Sequence, residues 1–291
     1  MAKREITGRT RLVGIIGHPV AHSRSPMMHN AAFSALGLDL VYVALPTPPL
    51  EIRAAVRGLR ALGFVGANVT IPFKEAVLPG LDTLGPAARA CKAVNTIVVR
   101  GDSLFGDNTD VAGLLRDWDE AGLSRRLEGV VVLGAGGAAR AAVVAAAKRA
   151  RCVVIAARRP LRARALMRSL AGEVRAELRV VDLATLASGR CAEEVFAAAG
   201  MIVNATSAGM RGEVFPALAL GATPRDCMLH DLVYTEVRTP FMELAAKAGR
   251  PSRNGLGMLL HQGAAAFEIW TGEKAPVEIM RRALRRAGRA P

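Results

Sequence analysis

A glycine-rich turn in the middle of this 291-residue chain constrains its fold more than any other feature. The apolar run 129–133 leads into Gly134-Ala135-Gly136-Gly137-Ala138-Ala139, and an alanine-rich stretch follows to Ala150. A second apolar run, 152–157, ends on Arg158-Arg159. Strand, G-x-G-x-x-A turn, helix and strand together predict a dinucleotide-binding unit. Its position indicates that another domain precedes it.

Each small residue of the turn has a steric role. Gly134 permits the tight turn, Gly136 lets a pyrophosphate approach the backbone, and Ala139 keeps helix and strand close. The helix that begins near Gly137 directs its free N–H groups and positive dipole end towards phosphates. We therefore predict cofactor contacts at Gly134, Ala135, Gly136, Gly137 and Ala138.

The end of the second strand distinguishes NAD from NADP. An NAD site places Asp or Glu there to accept a hydrogen bond from the ribose 2′-hydroxyl. This chain has Ala157-Arg158-Arg159 instead, and guanidinium groups suit a 2′-phosphate. The alternative is that both are ordinary surface arginines in an arginine-rich chain. We predict NADP.

Composition excludes several classes of protein. A hydrophobic fraction of 51% with 22% charged residues indicates a globular chain. No apolar run reaches the ~18 residues of a membrane helix, and the start lacks the apolar region of a signal peptide. The four cysteines form no C-x-x-C pair, so neither zinc nor disulfides are indicated. We expect a cytoplasmic protein without a metal site, a monomer or, preferably, a homodimer.

The net charge of +14 raises the question of nucleic-acid binding. Its arginines are scattered along the chain, with a cluster between 281 and 289, and aromatic residues at 4% are too few for base stacking. Solvated helix faces are the favoured interpretation. We expect no nucleic-acid or membrane partner, but a preference for anionic small molecules.

The chain alternates between strand-like and helix-like periods, which predicts an α/β fold of two domains with mostly parallel sheets. Before the turn, the predicted strands are 11–17, 40–44 and 66–71 with a hairpin of 96–100 and 103–106, and the predicted helices are 26–36, 50–62 and 111–121. After it, strands at 152–157, 179–181, 201–205 and 228–233 predict a doubly wound Rossmann sheet. Two last helices, 257–270 and 277–286, should return to the first domain. We expect a substrate-binding catalytic domain at 1–110, completed by 256–291, and a Rossmann NADP-binding domain at 111–255.

Four polar clusters, at 17–26, 68–74, 93–96 and 106–110, lie at ends of predicted strands, where open α/β sheets bind ligands. In the first, Ser23 and Ser25 flank one residue and suit a carboxylate or polyol, although Ser before Pro also caps helices. His18 and His22 stand beside two prolines without a nearby carboxylate, which argues against a metal.

Lys74 is the candidate general base. We expect Thr70 to end a strand and Pro72 to start a helix, which places Lys74 in the first helical turn. The positive dipole end would disfavour the charged ammonium there and favour proton transfer. The alternative is a solvated surface lysine, just as Asp110 could be only a helix cap.

The ordered motifs resemble one family. They are G-x-P-x-x-H-S-x-S-P-x-x-H-N (17–30), N-V-T-I-P-F-K (68–74), A-V-N-T (93–96), G-D-N-T-D (106–110) and N-G-L-G-M-L-x-x-Q (254–262). Together with 204–210 and 231–241, they make residues 14–270 similar to the shikimate dehydrogenases.

This resemblance implies reversible, NADP-dependent reduction of 3-dehydroshikimate to shikimate in aromatic amino acid biosynthesis. It implies a catalytic pair of Lys74 and Asp110, with Lys74 transferring the proton. The implied substrate-binding residues are Ser23, Ser25, Thr70, Asn95, Asp110, Tyr234 and Gln262. The implied cofactor contacts are the glycine turn, Ala157, Arg158, Arg159, Thr206, Leu232 and Gly255.

Two departures from the family pattern bear on the cofactor. Ala157-Arg158-Arg159 replaces a frequent Asn-Arg-Thr, and Leu232 stands where many members carry Met. Arg158 keeps the guanidinium that suits NADP. Two alternatives stay open: a quinate/shikimate dehydrogenase that uses NAD, and a non-catalytic NADP-binding regulator of the same fold.

Overall fold

The computed structural model describes residues 5–123, 126–210, 214–234 and 238–287. The chain forms two compact units. The first extends to Gly113 and resumes at Leu259, and the second runs from Leu114 to Met258. Each boundary falls inside a helix, one between 110 and 120 and the other between 256 and 271.

The first unit is built on a six-stranded mixed sheet of order β2-β1-β3-β5-β6-β4. Its elements are β1 (Arg11–Gly17), α1 (Ser25–Ala35), β2 (Leu40–Pro46), α2 (Ile52–Ala61), β3 (Gly66–Val69), β4 (Thr83–Leu84), α3 (Pro86–Cys91), β5 (Thr96–Arg100) and β6 (Ser103–Asp107), followed by α4 (Asp110–Glu120). Strand β1 is parallel to β2 and β3, while β5 is antiparallel to β3 and β6. The predicted hairpin is therefore present.

The predicted helix from Pro72 is wrong. Turns occupy 71–77, and a 3₁₀ helix follows at Leu78–Gly80. The backbone has other partners, because the Lys74 carbonyl accepts a hydrogen bond of 2.7 Å from the N–H of Val94. Strand β3 also ends at Val69, so Thr70 follows the strand instead of ending it.

The second unit is built on an all-parallel sheet of order β12-β11-β10-β7-β8-β9. Its elements are β7 (Leu127–Leu133), α5 (Gly137–Ala147), β8 (Ala150–Ala157), α6 (Pro160–Leu170), β9 (Glu177–Asp182), α7 (Arg190–Ala197), β10 (Ala199–Asn204), β11 (Met228–Asp231), α8 (Pro240–Lys247) and β12 (Ser252–Arg253). Helices cover both faces, so β7 and β8 read as unbroken apolar runs. This is the doubly wound Rossmann order that the sequence predicts. The order reverses between the paired strands β7 and β10, and such a fold binds ligands at the carboxyl ends of those two strands.

The C-terminal helices α9 (Leu256–Thr271) and α10 (Val277–Ala287) return to the first unit, as predicted. Helix α10 packs on α1. In α9, the Trp270 indole N–H donates to the carbonyl of Ile97 at 2.9 Å, and Phe267 stacks on Phe33 with ring centroids 5.4 Å apart. These buried contacts dock α9, which also carries Gln262, on the first unit.

Candidate active site

The four polar clusters of the first unit lie at one edge of its sheet. Parallel strands β1 and β3 both end there. Because β5 is antiparallel to β3, it begins there, with Thr96 opposite Asn68. Strand β6 reverses direction again and ends at the same edge, with Asp107 opposite Thr96. Four distant segments of sequence therefore meet.

Lys74 and Asp110 form an ion pair at this edge, with Nζ 2.5 Å from Oδ2. Their side chains are only 13% and 4% exposed, so Lys74 is not a solvated surface lysine. The other carboxylate oxygen of Asp110 accepts a hydrogen bond of 2.8 Å from Nδ2 of Asn95. Both oxygens thus bond side chains from other segments, which a residue that only caps a helix does not do.

Asn95 links this pair to the C-terminal helix. Its Nδ2, which carries two hydrogens, also lies 3.3 Å from Oε1 of Gln262 and 3.0 Å from Oγ1 of Thr109, both within hydrogen-bond distance. Gln262 in turn donates from Nε2 to the carbonyl of Leu259 at 2.9 Å, which orients its amide. The structure therefore brings Lys74, Asn95, Asp110 and Gln262 into one buried network.

Ser23, Ser25 and Thr70 lie at the same edge, after β1 and β3. The N–H of Ser25 donates to Oγ of Ser23 at 3.3 Å, so the two serines form one local turn. Ser25 is buried as the first residue of α1, and Thr70 is half-buried. Within the described parts of the chain, the hydroxyls of Ser25 and Thr70 have no hydrogen-bond partner, which leaves them available to a ligand.

Tyr234 belongs to the second unit, three residues after β11, and is half-buried. Its place in the substrate-binding set stays a prediction.

The glycine turn joins β7 to α5 in the second unit. Gly134 has φ +119°, where a side chain is strained, and a Cβ there would lie 3.0 Å from the carbonyl oxygen of Ala205. Its N–H donates to the carbonyl of Ala156 at 2.8 Å. Gly136 caps α5 without a side-chain hydrogen bond, and a Cβ there would meet nothing within 4 Å. Uncapped N–H groups beside open space fit a pyrophosphate.

Arg158 and Arg159 follow the buried Ala157 at the end of β8, and both side chains are exposed. Neither has an ion pair or hydrogen bond among the described residues. The end of β8 carries no carboxylate that could accept from a ribose 2′-hydroxyl. The residues present therefore fit a 2′-phosphate.

A buried network at the ends of β10 and β11 has no role in the sequence prediction. Nδ2 of Asn204 donates to Oδ1 of Asp231 at 2.8 Å, and Oγ1 of Thr239 donates to Oδ2 of Asp231 at 2.6 Å. Burial raises the pKa of Asp231, while the hydrogen bonds it accepts from Thr239, the N–H of Val233 and Asn204 oppose that rise. The rule that strand ends carry ligand-binding residues could have found both Asn204 and Asp231.

This network holds the three remaining predicted cofactor residues. Thr206 donates from N and Oγ1 to Oδ1 of Asn204, at 3.0 and 2.7 Å. The N–H of Leu232 donates to the carbonyl of Asn204 at 3.0 Å, and the N–H of Gly255 donates to the carbonyl of Val233 at 3.1 Å. Thr206, Leu232 and Gly255 are thus fixed around one buried cluster.

No group of three or more His, Cys, Asp or Glu side chains among the described residues is placed to hold a metal ion. None of the helices described is both long and apolar enough to cross a membrane.

Comparison with known proteins identifies the family. The model of the shikimate dehydrogenase substrate binding domain matches residues 15–97, and that of the shikimate 5′-dehydrogenase C-terminal domain matches 255–285. The shikimate dehydrogenase (NADP(+)) of Geobacter sp. strain M21 is 46% identical over 281 residues, 96% of each chain. The chain belongs to the shikimate dehydrogenase family.

Solved structures of shikimate dehydrogenases have the same fold. The shikimate 5-dehydrogenase of Listeria monocytogenes, in complex with shikimate and NAD, is 35% identical with a TM-score of 0.87, over 97% of this chain and 99% of that one. The enzyme of Thermus thermophilus, in complex with NADP(H) and shikimate, is 36% identical with a TM-score of 0.81, over 95% and 99%. Shikimate dehydrogenases of this fold thus occur with either nucleotide, so the nucleotide preference of this member is argued from its own residues.

Proposed function

We propose that this protein catalyses the reversible, NADP-dependent reduction of 3-dehydroshikimate to shikimate, a step of aromatic amino acid biosynthesis. The observation that carries the proposal is the buried Lys74–Asp110 pair at a sheet edge lined with hydroxyls that no described residue hydrogen-bonds. Membership of the shikimate dehydrogenase family, at 46% identity to a relative named for NADP(+), supports the substrate and the nucleotide.

Proton transfer is assigned to Lys74. In the reducing direction its Nζ gives a proton to the C3 oxygen of the substrate, and in the oxidising direction Nζ takes that proton back. Asp110 holds Nζ in place through Oδ2, while Asn95 fixes the carboxylate through Oδ1. A positioned acid–base group of this kind contributes roughly 10²–10⁴-fold to the rate.

Substrate binding is assigned to polar groups around this pair. Ser23 and Ser25 would hold the carboxylate, and Thr70, Asn95, Asp110 and Gln262 would hold the ring hydroxyls. Tyr234 stays in the predicted substrate-binding set. Hydroxyl and amide side chains suit a polyol acid because each can donate or accept. Ser25, Asn95, Asp110 and Gln262 are buried, which excludes water from their polar contacts and so strengthens those contacts.

The cofactor is assigned to the second unit. The nucleotide, when bound, would supply the hydride to the substrate carbon as NADPH and accept it as NADP+. The turn from Gly134 to Ala138 would bind the pyrophosphate, and Arg158 with Arg159 would bind the 2′-phosphate beside Ala157. Thr206, Leu232 and Gly255 complete the assignment around the Asn204–Asp231 network. The bounds of the two units support the same assignment, in which the first unit binds the substrate and the second binds NADP.

A four-way kinetic comparison tests the proposal: purified protein is assayed with shikimate or quinate, each with NADP or NAD. We expect kcat/KM to be highest for shikimate with NADP, because the end of β8 offers arginines and no carboxylate. A preference for quinate with NAD would favour the quinate/shikimate alternative. A protein that binds NADP but oxidises neither acid would instead be the non-catalytic regulator, which the buried Lys74–Asp110 pair argues against.

A homodimer and a cytoplasmic location remain part of the proposal. Size-exclusion chromatography with light scattering measures the first, and fractionation of the source cell measures the second.

A further inference from the structure

A line of hydrogen bonds extends from the Lys74–Asp110 pair into the core of the first unit. The hydroxyl oxygen of Tyr42, on β2, lies 2.7 Å from Oδ1 of Asn68. Nδ2 of Asn68 lies 3.2 Å from Oγ1 of Thr96. Oγ1 of Thr96 lies 3.0 Å from Oδ1 of Asn95, whose Nδ2 reaches Asp110. Tyr42, Asn68 and Thr96 are all buried, and the proposed reaction has so far used none of them.

The direction of every bond in this line is fixed by chemistry. The Asp110 carboxylate, paired with Lys74, can only accept, so Asn95 must present its N–H to it. The Asn95 carbonyl then faces Thr96, whose hydroxyl must donate to it and can therefore accept from Asn68. This leaves the Asn68 carbonyl to accept from the hydroxyl of Tyr42.

The far end of the line is held by packing. The ring of Tyr42 is stacked on His29, with centroids 4.5 Å apart and planes inclined by 5°. His29 is fully buried, and no described residue hydrogen-bonds either of its ring nitrogens, so it acts here as a flat packing surface. Trp270 lies against both rings, with centroids 5.5 Å from His29 and 6.2 Å from Tyr42.

We propose that Tyr42, Asn68 and Thr96 are positioning residues, which fix the amide of Asn95 and through it the Asp110 carboxylate that holds Lys74. The inference rests on the proposed function and deepens it. Thr96 is the decisive link because its hydroxyl donates to the side-chain carbonyl of Asn95, whereas Asn68 itself reaches only the backbone carbonyl of Asn95, at 3.0 Å. The backbone N–H of Thr109 also donates to Oδ1 of Asn95, at 2.7 Å, so loss of Thr96 weakens the orientation without abolishing it.

A matched pair of variants tests this link. Thr96→Val keeps the shape and removes the hydroxyl, whereas Thr96→Ser keeps the hydroxyl and removes a buried methyl group. Both should lose some thermal stability. We expect Thr96→Val to lower kcat/KM for shikimate by about tenfold, since small misplacements of catalytic groups are costly, and Thr96→Ser to stay near the parent protein. Equal activity of the two variants would overturn the inference.

A second arm separates positioning from general destabilisation. In an Asn95→Ala background, Thr96→Val should cause no further loss of kcat/KM, because the effect passes through Asn95. An undiminished further loss there contradicts the inference. Tyr42→Phe, which removes the first donor of the line, should show the same dependence on Asn95 with a smaller effect.

A readout without substrate keeps the two proposals distinguishable. The side-chain amide signals of Asn95 in a ¹⁵N spectrum can be assigned by their loss in Asn95→Ala. They should move in Thr96→Val and stay in place in Thr96→Ser. If the parent protein does not oxidise shikimate, the proposed function fails. These amide signals still decide whether Thr96 orients Asn95. Equal movement of the signals in both variants would refute that orienting role.

Discussion

The two units differ in the chemical groups that they offer to their proposed ligands. In the first, the site consists of side chains: Lys74, Asn95, Asp110 and Gln262 come from four segments and meet in one buried network. In the second, the glycine turn offers backbone N–H groups, and its charged side chains, Arg158 and Arg159, are exposed and unpaired among the described residues. A reacting group must be held in one place, whereas phosphates can be bound by backbone and by mobile guanidinium groups.

The largest effect should follow removal of the reacting group. Lys74→Ala should lower kcat by about 10³-fold while changing the dissociation constant for shikimate little, because other side chains hold the substrate. Steady-state kinetics and equilibrium binding measure the two quantities. Lys148→Ala, at an exposed position on the second unit, is the matched control. Unchanged turnover in Lys74→Ala would exclude the assigned role and erase the contrast between the units.

Lys74 also shows which features of the site the sequence predicts and which it does not. Its motif and its strand-end position singled out a lysine that the structure pairs with Asp110, but the helix dipole invoked for it is absent, since turns follow β3. The packing that buries it depends on Asn95 and Asp110, which no local pattern relates to Lys74. The strands of the sheets were easier to predict than the contacts of Lys74. Strands β1, β7 and β8 are buried on both faces, and each therefore appears in the sequence as an unbroken apolar run.

What the sequence missed is of two kinds. Strands β4 and β12 have two residues each, too few for any periodicity. The second kind is pairing between distant polar residues: Asn204 with Asp231, and Asn68 with Thr96, meet only once strand register is known. Each of these residues stands in a motif or at a strand end that the sequence shows, but nothing in its own segment indicates which distant residue it hydrogen-bonds.

One fully buried histidine in each unit, His29 in the first and His230 in the second, has a lowered pKa, and acid should destabilise both units. Burial lowers the pKa of His29 to about 3, and burial together with the charge of Arg253 lowers the pKa of His230 to about 3. Below their ordinary value of about 6.5 the unfolded chain binds protons that the folded chain does not. The free energy of unfolding should therefore fall as pH drops from 6.5 towards 3, by at most about 1.4 kcal/mol per pH unit for each histidine.

His29→Phe removes the contribution of the first unit's fully buried histidine to this loss of stability in acid. Urea unfolding at several pH values should show a shallower loss of stability with acid than in the parent protein, because one of the two proton-linked groups is gone. Met28→Leu, at the neighbouring buried position on α1, should keep the full slope. An unchanged slope in His29→Phe would mean that this histidine is already protonated in the folded state.

The arginines test whether exposed charge is enough for binding. Arg158→Ala should raise KM for NADP by roughly tenfold or more and leave KM for shikimate nearly unchanged, since the guanidinium is assigned only to the 2′-phosphate. The KM for NAD, which lacks that phosphate, should change little. Arg164→Ala on α6 is a control for the loss of one positive charge from the same unit. Equal weakening of NADP and NAD binding would argue against a contact with the 2′-phosphate.

The smallest effects are expected at Gly134 and Gly136, where alanine should lower stability at the first and NADP binding at the second. Gly134→Ala places a side chain at φ +119° and 3.0 Å from the Ala205 carbonyl oxygen, so it should lower the free energy of unfolding by about 1–3 kcal/mol. Gly136→Ala meets open space at an ordinary φ of −100°, so stability should be kept. Its methyl group would instead occupy the approach to the α5 N–H groups and weaken NADP binding several-fold. Thermal unfolding without nucleotide, followed by NADP titration, measures both. If Gly136→Ala bound NADP as tightly as the parent protein, backbone N–H groups would not be the binding element, and the contrast with the side-chain site of the first unit would fail.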